Sequence, residues 1–130
     1  AQLESKASGG DKATEAASGA DSKGVGPIKS VTIGEIDPAM AKEGETIFNT
    51  NCVACHKLDV KLVGPPLNGI TKKQTPEWIM NMILNPEEMV KKDPVAKKLL
   101  EEYIAPMANL HLTEDQARKL LEFFRQNDSK

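Results

Sequence analysis

Aromatic residues are scarce in this chain: three Phe, one Tyr and one Trp among 130 residues. After a low-complexity start of about 30 residues, about 100 remain, enough for one small domain. A domain so poor in large rings has a thin core, so a bound apolar group would have to supply the missing bulk, and without it the chain is expected to be largely unfolded. Only two cysteines and two histidines are present in the whole chain. No run of 18 apolar residues occurs, so the sequence contains no candidate membrane-spanning helix. No charged-then-apolar leader stands at Ala1, and the expectation is a mature or truncated form. The formal net charge of −2 and the lack of a long basic run argue against a nucleic-acid partner. No alternating strand pattern of useful length appears, so the class is all-α.

What the chain does have is Cys52-Val53-Ala54-Cys55-His56, the C-x-x-C-H pattern of c-type haem attachment. Two cysteines three apart share one face of a helical turn, so both thiols can add to the vinyl groups along one haem edge. The histidine that follows is then carried under the iron as the proximal axial ligand. Three other readings compete. A thioredoxin-like pair needs a strand leading into a βαβ unit, and none precedes Cys52. A structural zinc site needs four ligands, and only His111 remains to join Cys52, Cys55 and His56. A plain disulfide would leave His56 unexplained.

Residues 1–30 are rich in Ala, Gly, Ser, Lys, Asp and Glu, with Leu3, Val25 and Ile28 as the only large apolar side chains. Composition predicts a flexible tail there and a haem domain over 31–130. The tail is either a cloning remnant or frayed end, or a tether of roughly 30 Å to an N-terminal membrane anchor. Asp37-Pro38 predicts a first helix to about Asn51, and residues 57–74 read as an irregular loop. Thr75-Pro76, Asn85-Pro86 and Asp93-Pro94 open three further helices, the last running to about Tyr103. Residues 104–112 form a loop, and Thr113 to Gln116 is a capping box that starts the last helix.

Gly44, Phe48, Cys52, Cys55 and His56 together resemble the first helix and haem-binding turn of the class I monohaem cytochrome c family, in its bacterial form. The likeness covers about residues 38–127, and it implies four to five helices around one covalent haem c. It implies that Gly44 and Phe48 meet the last helix at Leu120 and at Phe123 or Phe124. Gly64-Pro65-Pro66-Leu67 resembles the family's Gly-Pro-x-Leu loop beside the haem, which implies a hydrogen bond from His56 to the Pro65 carbonyl and a place for Leu67 at the cofactor. A rigid turn would account for the two prolines equally well.

Five methionines compete for the distal position. Met40, Met80, Met82 and Met89 sit in predicted helices, as core filler does. Met107 lies in the loop before the last helix, where the family places its axial methionine, and His111 is its rival. Trp78 either reaches a haem propionate through its indole N–H or packs in the core. Lys57, Lys61, Lys72 and Lys73 either form a basic rim for an acidic redox partner or are simply solvated.

The resemblance implies a monomeric electron carrier, not an enzyme, with metal ligands His56 and Met107. Its partners would be proteins: a membrane respiratory complex or a terminal reductase or oxidase. It implies a place in the periplasm or on the outer face of the cytoplasmic membrane, with anchoring through the N-terminus. The alternative is a haem c peroxidase or gas-binding cytochrome with an open sixth position. Haem proteins of the four-helix-bundle type carry C-x-x-C-H near their C-terminus, whereas here it follows the first helix.

Overall fold

The computed structural model describes residues 22–53, 56–104 and 106–129. Six helices follow in order: α1 Pro38–Asn51, α2 Ile70–Lys73, α3 Pro76–Leu84, α4 Pro86–Lys92, α5 Pro94–Tyr103 and α6 Glu114–Asp128. No strand occurs among the described residues. Four starts follow the local chemistry of their first residues. Asp37 accepts from the Ala39 and Met40 amides, Thr75 from Trp78 and Asp93 from Ala96, and Thr113 forms the full capping box with Gln116. A proline in the first turn of α1, α3, α4 and α5 costs nothing there, because its missing N–H would have had no helical partner.

The crossing of α1 and α6 is the frame. Gly44 is buried, and a Cβ on it would overlap the Lys119 carbonyl oxygen and stand 3.0 Å from the Phe123 Cβ. Glycine is therefore required by the close approach of the two backbones rather than by any turn. Phe48 packs against both Phe123 and Phe124, at centroid distances of 5.4 and 6.0 Å. Rings in tilted and edge-on contact add to the area they bury.

Two expectations are corrected. The segment 57–74 is not wholly irregular, since it holds α2. That single turn is fixed from far along the chain: Asp128 at the end of α6 accepts from the Gly69 amide at 2.7 Å, the Thr71 amide at 2.9 Å and the Thr71 hydroxyl at 2.6 Å. The second correction concerns the predicted tail. Ser22 to Ser30 packs on the domain instead of lying free of it. Asn81, fully buried on α3, accepts from the Ile28 amide and donates to the Lys23 and Ile28 carbonyls. Asn85 donates to Val25, Thr75 to the Ser22 carbonyl, and Ile28 itself is buried. Composition misjudged this strap because the side-chain amides of Asn81 on α3 and Asn85 at the α3–α4 junction hold its backbone. The rest of the predicted tail, residues 1–21, lies outside the described residues.

Candidate functional site

The haem motif begins where α1 ends. Cys52 caps the helix, and its carbonyl takes the His56 amide at 2.9 Å, which keeps His56 close to the end of α1. Cys55, the second cysteine of the motif, lies outside the described residues. Beyond it the chain closes a loop: the Leu67 amide returns to the Lys57 carbonyl at 3.0 Å and Asn68 to Leu58 at 2.7 Å. Closure brings the Pro65 carbonyl 3.0 Å from His56 Nδ1. A carbonyl only accepts, so the proton of this bond sits on Nδ1, and Nε2 is left with its lone pair for a metal. Gly64 lies against the same ring: a Cβ there would stand 2.5 Å from His56 Cε1 and 2.8 Å from Nδ1.

His56 and Cys52 open onto a cavity of about 330 Å³ in the middle of the domain. Pro65, Leu67, Trp78 and Met107 line the same space, with Ile79, Met82 and Ile83 of α3, Leu99 and Tyr103 of α5, and Leu120 and Phe124 of α6. The motif residues thus meet around one apolar hollow. His111 is exposed and is not on its wall. Met40 is half-buried away from the cavity, whereas Met80 and Met89 are buried core. Met82, which reads as core filler, packs against the core and also lines the cavity, because core face and cavity face coincide on α3. Trp78 also turns its ring to the cavity, but its indole N–H donates to Asp93 Oδ2 at 2.9 Å and is not available to a propionate.

Charge is kept to the outside of this hollow. Glu122 of α6 is buried away from it and is held below the ordinary glutamate value of 4.5; burial pushes the carboxyl up, and this is outweighed by Arg125, the Asp37 amide and Arg118. Those arginines also reach the Thr32 and Gly34 carbonyls, pinning the chain before α1. Asp128 is likewise lowered: burial raises it, and the donors from Thr71, Gly69 and Asn127 outweigh that. Of the four lysines near the motif, Lys61 pairs with Glu102 at 3.4 Å and sits 5.5 Å from the Tyr103 ring centre.

A helical frame, a histidine held by a carbonyl and a central apolar cavity define a small haem-binding domain of the c type. The chain belongs to the cytochrome c family, whose profile matches residues 41–128. Cytochrome c from Rhodothermus marinus is similar over 80% of this chain and 90% of its own, with 47% identity and a TM-score of 0.79. An engineered cytochrome c from the same organism, bound to a carbene intermediate, covers 81% of this chain and 92% of its own at 46% identity, with a TM-score of 0.76. Two curated relatives match shorter stretches. The cytochrome c-type cyt cy of Rhodobacter capsulatus is 52% identical over 46 residues, 32% of this chain and 23% of that protein. Cytochrome c-551 of Stutzerimonas stutzeri is 44% identical over 39 residues, 29% of this chain and 38% of that protein. The match therefore spans well under half the length of either curated relative.

Members of this family carry covalently bound haem c. The residues present fit it: the hollow is apolar, a cysteine and a histidine stand at its edge, and the histidine's outer nitrogen is already engaged.

Proposed function

We propose that this chain is a one-electron carrier whose haem is held by thioether bonds from Cys52 and Cys55, with His56 and Met107 as axial ligands. The observation that carries this reading is that His56, oriented through Nδ1 by Pro65, and Met107, on the loop before α6, line one apolar cavity. When bound, the haem supplies an iron that takes up and gives back one electron. The chain's own part would be to present His56 and Met107 to the iron, to exclude water with the walls of α3, α5 and α6, and to fix the imidazole so that little moves when charge changes.

Partners are redox proteins. Val53, Val60, Leu62 and Val63 near the attachment turn, and Ile104 and Leu110 on the Met107 loop, are large apolar side chains left exposed. They offer a dry contact patch, which Lys57, Lys61, Lys72 and Lys73 would complement toward an acidic partner. A monomer in the periplasm or on the outer face of the membrane suits this work, with residues 1–21 as the tether. No helix among the described residues is long and apolar enough to cross a membrane.

Redox titration of the haem-loaded protein under carbon monoxide tests the reading. A reversible one-electron wave with no spectral change on adding the gas is expected. Ready carbon monoxide binding to the reduced protein would replace it with a gas-binding or peroxidase function.

A further inference from the structure

Asp93 is 2% exposed, and no Lys or Arg among the described residues is paired with it. Among the described residues, each hydrogen bond at its carboxyl group has a protein donor pointing at it. Oδ2 accepts from Trp78 Nε1 and from the Ala96 amide, both at 2.9 Å, and Oδ1 from the Ser22 hydroxyl at 3.2 Å. Capping α5 does not require a charge, since Thr75 and Thr113 cap α3 and α6 with neutral hydroxyls. The nearest lysines in sequence, Lys91, Lys92, Lys97 and Lys98, are all exposed, where water screens them. Glu122, which is 1% exposed, is by contrast paired with two arginines.

What distinguishes Asp93 is its neighbours. Trp78 and Ala96, two of its three donors, are themselves cavity wall, so one layer of protein separates the carboxylate from the hollow. We infer that Asp93 sets the redox potential of the site: its buried carboxylate, with no cation paired to it among the described residues, favours the more positive, oxidised iron and lowers the midpoint potential. A charge in low-dielectric surroundings acts across such a layer far more strongly than one at the surface. The Trp78 indole holds the carboxylate in place, and Ser22 extends the hold to the N-terminal strap, so Asp93 also joins strap, α3 and α5.

The inference rests on the cavity holding the haem, and the test separates the two. Asp93→Asn removes the charge and keeps an acceptor for Trp78 and Ala96. Potentiometry of the haem-loaded variant should show the reduced-to-oxidised ratio at fixed ambient potential raised about tenfold, or about 59 mV upward for one electron. The shift should persist from low to high salt, because a buried charge is poorly screened. Asp93→Ser keeps a cap oxygen for Ala96 and should shift the same way, which covers failure of the first variant to fold. Asp93→Glu, which keeps the charge, should stay within about twofold of the parent. Loosening alone would admit water, favour the ferric form and move the potential down, so the sign separates charge from packing. An unchanged or lowered potential in a haem-loaded neutral variant overturns the inference; a parent chain that takes up no haem overturns the haem reading instead.

Discussion

His56 and Met107 line one cavity, yet the segments that carry them are held by different means. The His56 loop is closed on itself by the returns of Leu67 and Asn68, its ring is fixed at Nδ1, and the Gly64 backbone lies flat against it. The Met107 segment begins at Ile104 and ends at His111, both in the left-handed region at φ of 66° and 56°. Its one side-chain bond to another element among the described residues is Asn109 to Glu87, at the surface. Ile104 is 81% exposed, and a β-branched residue at positive φ is strained. The His56 side is held by backbone and side-chain hydrogen bonds, whereas Met107 is held by apolar packing against the core. If both residues serve as ligands, as proposed, this division makes Met107 the easier of the two to displace.

The sharpest way to break the frame behind the proximal side is at Gly44. Gly44→Val should cost about 3 kcal/mol or more, because the α6 backbone has nowhere to go, and thermal unfolding should fall by more than about 10 °C. A variant as stable as the parent would mean that α1 and α6 do not cross closely. Deleting residues 1–30 comes next. Losing Ile28 and leaving Asn81 without partners should remove about 3 kcal/mol, measured by denaturant unfolding. An unchanged curve would show the strap to be ornamental.

Acid should act on the frame before it acts on the Met107 loop. The Glu122 carboxyl is lowered from 4.5 on folding, so its stabilisation is fully present above that pH and is lost as pH falls below it. Glu122→Gln should cost about 2 kcal/mol at neutral pH and flatten the decline below pH 4.5. Equal slopes for parent and variant would assign acid unfolding to other groups. The smallest effect is expected at Ile104. Ile104→Gly should stabilise by about 1 kcal/mol through relief of the left-handed backbone, despite glycine's greater freedom when unfolded. A loss of stability would mean that the exposed side chain is engaged after all.

How much of this was legible depended on the range of the interaction concerned. Caps at Asp37, Thr75, Asp93 and Thr113 act within three residues, so the sequence shows them directly. The motif around Cys52 and the glycine at 44 carry their own spacing. Hidden features depend on side chains more than 50 residues away: α2 is fixed by Asp128, and the strap by Asn81. Met82 was hidden for another reason, because an apolar helical face reads the same whether it meets protein or an internal cavity.

The central claim is that Met107, and not Met82 or His111, completes the iron's coordination. The most direct measurement is the weak long-wavelength sulfur-to-iron charge-transfer band of the oxidised, haem-loaded protein. Its presence in the parent and in Met82→Leu and His111→Ala, with loss in Met107→Ala together with a lower potential and new binding of cyanide and carbon monoxide, is the expected result. Persistence of the band in Met107→Ala, or its loss in Met82→Leu instead, would contradict it.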